Sequence, residues 1–272
     1  LQYLHSKKAH KKALKNREEK YMGYIHGKEA YLDQLVADEL KLLETCYPRG
    51  QEIIQRIQRF SGPFFDRLPV DEDFLTVRLG SGEKCSDFKI EVNEQEFKDL
   101  SDPLREWPER LQEKYRTLSG SPILFSLRQH GSTALVGTQG ETAGCLVQVV
   151  MDLAANHFAK EVKLACLFHE DAYMDRFSFL KWLPHVANPW DATRLIARDE
   201  AGGREILDLI YKEIQKRQND QQNDARIGGQ LPHFVVVIQQ SSRFANNPLL
   251  QYLLHGGAEG LSFLFMEEHL EL

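Results

Sequence analysis

The first part of the chain repeats apolar residues with the spacing of an α-helix. Residues 1 to about 46 contain no proline, and Tyr24, Tyr31, Leu35 and Leu42 fall on one helical stripe. The segment "YPRG" at Tyr47–Gly50 breaks this pattern. A second apolar helical face follows it, formed by Ile53, Ile54, Ile57 and Phe60. We therefore predict a helical hairpin stalk over residues 1–70, which packs on itself or on a neighbour.

After Pro69 the pattern changes to short apolar strands that alternate with helices. Strands are predicted at 74–80, 88–92, 122–127, 133–137, 162–168, 193–197, 233–238 and 261–266. Helical segments are predicted at 103–118, 140–157, 173–183 and 204–218. The residues "RQHGS" read as a hairpin loop between two of the strands. This alternation predicts an α/β domain over residues 71–272, with a mostly parallel sheet covered on both faces.

Composition narrows the class of protein. The 272 residues are 42% hydrophobic and carry a formal net charge of -6, which argues against a general nucleic-acid-binding domain. The four cysteines are scattered without a CxxC pair, which is typical of reduced thiols in a cytosolic protein. No apolar run approaches the roughly 20 residues that span a bilayer. Because the chain starts without methionine and in mid-pattern, we expect a fragment of a longer protein.

The positive charge is concentrated at the start of the chain. Seven basic residues among the first twenty face only two acidic ones, Glu18 and Glu19. Four of them, Lys7, Lys8, Lys11 and Lys12, form two adjacent pairs. Such a run is usually a solvated helix face. The alternative is a segment next to a membrane span, where lysine and arginine contact anionic lipid.

The stretch "TALVGTQGETAGCLVQ" has the layout of a phosphate-binding loop, with a strand, a glycine turn and a helix. Gly137, Gly140 and Gly144 supply the flexible positions, but no lysine or arginine occurs from Gln129 to Ala159. Glu141 stands near the predicted helix start, where free amides attract anions. The loop therefore looks like a degenerate Walker A motif whose anion site the protein itself fills.

A nucleotide site also needs acidic residues at the end of a later strand, to bind magnesium and activate water. The corresponding strand here is "HFVVVI", and Gln239 and Gln240 stand where the acids belong. An uncharged amide cannot replace an anionic magnesium ligand. We therefore expect a P-loop-NTPase-like three-layer sandwich with a degenerate nucleotide site, and no catalytic residue, cofactor or metal.

Two further segments are open to more than one interpretation. His169, Glu170, Asp171 and Asp175 follow a strand, but their spacing matches no established ligand set, so a solvated strand end is favoured over a metal site. In "KWLPH", Trp182 is expected to bury area, with a docking face for a following domain as the alternative.

Several segments together resemble the type VII secretion ATPases, the EssC/EccC membrane proteins of the FtsK/SpoIIIE class. "FFDRLPVDEDFLTVRLGSG" is similar to their "WERRPxDxDFLxVRLGxG" segment, except that "FFD" stands where tryptophan is usual. "FLKWLPHV", followed by Arg194, is similar to "WLPHxW…R". The tyrosine-rich long helix and "YPRG" occur in the family's order, so the resemblance covers essentially the whole chain.

The resemblance implies a degenerate ATPase domain with a helical stalk, between transmembrane helices and catalytic ATPase repeats. This would be a non-catalytic module on the cytoplasmic face of a bacterial membrane, in a parent ATPase that exports proteins. Its partners would be other type VII membrane components, contacted through the stalk, and the catalytic domains of the same chain, with a hexamer as one candidate assembly. Two alternatives stay open: a regulatory nucleotide-binding domain with an unorthodox site, and a fragment of a DNA translocase.

Overall fold

A computed structural model describes residues 2–92, 103–222, 232–250, 252 and 260–269. Its helices are α1 (Gln2–Cys46), α2 (Gly50–Arg59), α3 (Glu106–Lys114), α4 (Leu127–His130), α5 (Gln139–Asn156), α6 (Glu170–Ala172) and α7 (Glu200–Gln222). Its strands are β1 (Thr76–Cys85), β2 (Thr117–Ser126), β3 (Ser132–Val136), β4 (Val162–Leu167), β5 (Ile196–Ala197), β6 (His233–Gln239) and β7 (Leu261–Glu267). None of the helices in these ranges is long and apolar enough to cross a membrane.

The chain divides into two compact units. The first contains Leu1–Pro48 and Ser81–Ile123, and the second contains Arg49–Gly80 and Leu124–Leu272. Strands β1 and β2, which pair with each other in a two-stranded sheet, run from one unit into the other. The predicted separation of roles at residue 70 does not coincide with this division and stays a proposal.

In the first unit, α1 packs against α3. Ile25 and Leu32 of α1 are buried with Leu111 and Tyr115 in a small apolar cluster. The predicted strand at 88–92 is wrong, because these residues have no regular secondary structure. Phe88 and Ile90 instead pack against the cluster with their side chains. The predicted apolar stripe is buried only in part: Leu35 packs against the cluster, whereas Tyr24, Tyr31 and Leu42 remain exposed.

The second unit is built on a five-stranded sheet in the order β3-β7-β6-β4-β5, and every strand pairing in it is parallel. One face carries a core with α5, and the opposite face carries a core with α7. This confirms the predicted α/β class and the mostly parallel sheet with helices on both faces. At Gly203 in α7 a side chain is excluded, because an added Cβ would lie 2.6 Å from Phe244 Cζ.

Helix α2 belongs to the second unit, where it buries Ile53 and packs on α5, with Gly50 N donating to Gln148 Oε1 over 2.7 Å. The helical hairpin of α1 and α2 stays a prediction. Strands β2 and β3 are not a hairpin, because helix α4 separates them and they belong to different sheets. The helical prediction at 173–183 is confirmed for residues 173–182, which form π and 3-10 turns.

Candidate functional site

The loop between β3 and α5 is stabilised by its own carboxylate. Thr138 caps α5, and Glu141 Oε2 accepts hydrogen bonds from Thr138 N at 3.0 Å and Thr138 Oγ1 at 2.7 Å. These hydrogen bonds lower the pKa of Glu141, so its carboxylate stays ionised at neutral pH. Gly137 lies against the same group, since an added Cβ would be 3.2 Å from Glu141 Oε2. A negative charge therefore lies at the helix start where a phosphate would bind.

A cationic side chain approaches this loop from a distant part of the chain. Arg176, which is exposed, lies with its Nη1 3.9 Å from the position that a Cβ on Gly140 would occupy. Arg176 lies outside the loop and its helix in the sequence, so the motif alone did not indicate it. Only the packing of the 173–182 segment brings it to the start of α5. Arg176 is thus a positive charge near the loop, in a position different from that of a Walker A lysine.

The two glutamines at the end of β6 are held by the segment that follows β4. Gln239 Oε1 accepts a hydrogen bond from His169 N over 3.0 Å, and Gln240 Oε1 lies 2.7 Å from His169 Nε2. For that contact to be a hydrogen bond, His169 carries the proton on Nε2. Both amide oxygens are therefore engaged by His169, whose role sequence reasoning did not identify.

Glu267, at the end of β7, connects the two candidate motifs. Strand β7 lies between β3 and β6, so the carboxyl ends of all three strands meet at one edge of the sheet. The main-chain oxygen of Glu267 accepts a hydrogen bond from Gly137 N over 3.1 Å. Its Oε1 accepts one from Ser241 N over 2.7 Å. A cleft of about 460 Å³ opens here, lined by Ala134, Gln240, Ser241, Ser242, Phe265, Glu267, Glu268 and His269.

Two of the residues considered for a metal site have other partners: His169 contacts Gln240, and Glu170 forms an ion pair. Glu170 Oε1 is 3.1 Å from Arg198 Nη1, in an exposed ion pair. Within the described ranges, no group of three or more histidine, cysteine, aspartate or glutamate side chains is arranged to hold a metal ion. Trp182 does not bury its area as expected: it is 76% exposed, with Lys181 Nζ 5.2 Å from its ring centroid.

The other end of α5 carries a buried polar cluster that the sequence did not reveal. Asp152 is fully buried, and its Oδ1 lies 3.2 Å from Arg67 Nη1. Its Oδ2 accepts a hydrogen bond from Arg78 N over 2.8 Å. Burial raises the pKa of Asp152, while Arg67 acts in the opposite direction. Because Arg67 and Arg78 both belong to "FDRLPVDEDFLTVRLG", this segment is anchored on α5.

Backbone contacts extend the same attachment. Phe65 N donates to Ala155 O over 2.9 Å, and Arg67 N donates to Asn156 O over 3.1 Å. His157 Nε2 accepts from Leu75 N over 3.0 Å, which requires the neutral ring with its proton on Nδ1. Desolvation, with a smaller contribution from Arg67, lowers the pKa of His157 to about 3. Residues Arg67, Phe74, Leu75 and Arg78 of this segment are therefore buried against the second unit's α5 and its C-terminal cap.

These features define the class of the second unit. A strand, a glycine loop and a helix lie at the carboxyl edge of a parallel α/β sheet, which is the architecture of P-loop ATPase domains. The chain is homologous over nearly its whole length to the EccC, YukB and EssC proteins of ESX and type VII secretion systems. No protein-family model matches it.

The similarity is distant but extends along the whole chain. The chain is 25% identical over 98% of its length to the ESX secretion system protein EccC of Geobacillus thermodenitrificans, and covers 18% of that protein. It is 25% identical over 93% of its length to YukB of Bacillus subtilis, and covers 17% of it. Among solved structures, the cytoplasmic domain of the Thermomonospora curvata type VII secretion ATPase EccC aligns with 76% of this chain and 23% of its own, at 14% identity and a TM-score of 0.47.

Proposed function

We propose that this chain is a non-catalytic, membrane-proximal module of a type VII secretion ATPase, which couples the membrane complex to the catalytic domains. Homology to the EccC, YukB and EssC proteins supports the secretion system. The proposal that the module is non-catalytic rests on one observation. Thr138 holds the Glu141 carboxylate at the start of α5 by hydrogen bonds, so a side chain of the chain itself fills the position of a bound phosphate. A phosphate placed there would meet a like charge.

The end of β6 supports the same proposal. Catalytic phosphoryl transfer needs a carboxylate to hold magnesium and orient water, and Gln239 and Gln240 offer uncharged amides. Their oxygens are already engaged by His169. The domain keeps the strands, loop and helix of a motor domain, and we propose that it transmits the state of neighbouring motor domains without turnover.

Calorimetry with magnesium-ATP tests this proposal directly. We expect no saturable heat at about millimolar ligand and no phosphate release above background. A dissociation constant in the micromolar range would overturn it. The matched variants are Glu141→Gln, which removes the opposing charge, and Glu113→Gln, an exposed control of the same chemistry away from the loop.

A regulatory nucleotide site is the second candidate function, because Arg176 approaches Gly140. If nucleotide binds through this arginine, Arg176→Ala should abolish the saturable heat, while Arg204→Ala in α7 should leave it unchanged. If the wild-type chain shows no binding, the second candidate function fails and the first one stands.

We further propose that the start of α1 contacts an anionic membrane surface from the cytoplasmic side. Every residue from His5 to Lys20 is exposed, including Lys7, Lys8, Lys11 and Lys12. Changing these four to glutamate should weaken sedimentation with anionic liposomes, most strongly at low salt. The same change at Lys89, Lys160, Lys212 and Lys216, which are also exposed, is the control. Equal binding by the two quadruple variants would contradict the proposal.

A further inference from the structure

The chain leaves strand β6 through a strained residue. Gln240 has φ 59 and ψ 85, in the left-handed region, although it is not a glycine. This conformation costs energy for a residue with a side chain, and it persists only where the surrounding contacts hold it. A 3-10 turn, Ser241–Phe244, begins directly after it. The strain therefore lies at the end of the strand where motor domains carry their acidic residues.

Contacts of Gln240 itself fix its position. Its main-chain N donates to Met266 O over 3.1 Å, and its main-chain O accepts from Arg243 N over 3.2 Å. Its side-chain Oε1 lies 2.7 Å from His169 Nε2. These contacts join Gln240 to β7, to its own turn and to the segment after β4, and none of them involves a carboxylate.

Glu267, at the end of β7, adds a carboxylate to this set. Its Oε1 accepts a hydrogen bond from Ser241 N, the amide that follows the strained residue, over 2.7 Å. Hydrogen bonds to a carboxylate are stronger than those between neutral groups. The main-chain O of Glu267 accepts from Gly137 N over 3.1 Å, and this second contact does not depend on the side chain. Glu267 thus holds the turn after β6 through its side chain and the loop after β3 through its main chain.

The far end of the turn is fixed in the core. Phe244 is buried and packs against Gly203 of α7. A rearrangement that starts at Gln240 is therefore confined to residues 240–243.

We propose that Glu267 is a clasp on a turn with two arrangements. While its carboxylate binds Ser241 N, Gln240 is held in the left-handed conformation. Without that bond, Gln240 relaxes out of the left-handed region and its side chain leaves His169, while Gly137 stays bound to β7. In a motor domain, magnesium and phosphate are bound at this position. Here a carboxylate of the chain itself holds the turn. The inference rests on the proposed function, because it makes this turn the moving part of a module that works without nucleotide.

Hydrogen exchange on the whole 272-residue chain, without nucleotide, tests the clasp. The reporters are the amides of Gln240 and Arg243, since both of their acceptors are main-chain oxygens. Glu267→Ala should speed their exchange about 10- to 100-fold, the factor expected for a lost hydrogen bond to a charged group. The exchange of Gly137 should stay as in the unmodified chain. Glu268→Ala, which removes the exposed carboxylate next in the sequence, is the control and should change neither reporter.

Glu267→Gln keeps an oxygen acceptor without the charge, so it should fold as the unmodified chain does and speed both reporters about fivefold. This variant keeps the test decisive if Glu267→Ala does not melt cooperatively. Reporters that exchange no faster in the Glu267 variants than in Glu268→Ala overturn the proposal. Equal acceleration at Gly137 also overturns it, because the whole edge of the sheet would then loosen together.

A change at Gln240 tests whether strain drives the rearrangement. Glycine adopts the left-handed conformation without steric cost, so Gln240→Gly removes the need for a clasp. In that background, Glu267→Ala should speed exchange at Arg243 by no more than about threefold. Ser242→Gly is the matched control: it adds a glycine to the same turn at an exposed residue without positive φ, so Glu267→Ala should keep its full effect there.

The same acceleration in the Gln240→Gly and Ser242→Gly backgrounds overturns the proposal, since Glu267 would then make a local hydrogen bond and hold no strain. This result is separate from the test of the proposed function. Nucleotide binding is measured by calorimetry on the unmodified chain, whereas every exchange factor is measured in the absence of nucleotide.

Discussion

The two ends of helix α5 differ in the burial and the partners of their polar side chains. Its C-terminal half holds Asp152 in a buried ion pair with Arg67, and His157 in a buried hydrogen bond with Leu75. Its N-terminal end, where a motor domain would bind phosphate, is exposed and capped by Thr138, which donates hydrogen bonds to Glu141. The buried polar groups at the C-terminal end therefore attach the 65–78 segment to α5. At the N-terminal end, the hydrogen bonds of the candidate phosphate site are made within the first turn of the helix. The buried polar residues of α5 are thus separate from the candidate nucleotide site.

Removal of residues 62–70 should have the largest effect on the stability of the second unit. A chain that starts at Gly62 keeps Phe65 and Arg67, whereas a chain that starts at Asp71 lacks them. Both lack α1 and α2, so the comparison isolates residues 62–70. We expect the shorter chain to lose cooperative unfolding, because Asp152 is left as a buried carboxylate without its arginine. If thermal melts of the two chains coincide, residues 62–70 do not stabilise the second unit.

Loss of the arginine alone should be severe but measurable. Arg67→Ala should lower the free energy of unfolding by about 3–5 kcal/mol, because a buried charge loses its partner. Arg176→Ala, at the other end of α5, should change it by less than about 0.5 kcal/mol, since that side chain is exposed. Urea denaturation of both variants gives the comparison. Similar values for the two would show that the ends of α5 do not differ as described.

Mild acid should lower the free energy of unfolding, because buried histidines at and near the C-terminal end of α5 are neutral in the folded chain. Burial lowers the pKa of His157 and of His233 to about 3, and it lowers that of His185 as well. Between pH 6.5 and pH 3 the unfolded chain binds more protons than the folded chain, so stability falls as pH falls. Asp152 opposes this trend, because its pKa is raised.

We expect a net loss of about 1–3 kcal/mol between pH 7.5 and pH 5.5, and almost none between pH 8.5 and pH 7.5. Urea denaturation at the three pH values measures it. A stability that is flat down to pH 5.5 would mean that these histidines are not held neutral by burial. Glu141 does not contribute to this window, since its pKa is lowered from an already acidic value.

The smallest effect is expected at the exposed end. Thr138→Ala removes the hydroxyl that bonds to Glu141 and should cost about 1 kcal/mol, a usual value for a lost helix cap. Thr138→Ser keeps the hydroxyl and should be close to wild type. Hydrogen exchange should show faster exchange confined to the first turn of α5. Protection lost along the whole helix would mean that the cap supports the buried end too.

The sequence by itself determined the architecture of the second unit. Runs such as "VKLACL" and "HFVVVI" are apolar throughout, and a strand buried on both faces needs this pattern, so β4 and β6 could be located within one residue. The glycine loop, Glu141 and the glutamine pair could likewise be found, because a strand–loop–helix unit places chemistry at a fixed point. The long helix α1 followed from the absence of breaking residues.

Only the tertiary structure decided which faces meet. Either stripe of α1 satisfies helical periodicity, and contact with Leu111 and Tyr115 selects the one with Ile25 and Leu32. The pairing of Arg67 with Asp152 joins residues 85 positions apart, and Arg176 and His169 reach the loop and the glutamines from other elements. Periodicity and spacing describe the secondary structure that one segment favours. A buried ion pair or hydrogen bond joins two segments, and the packing of the whole core determines which segments come into contact.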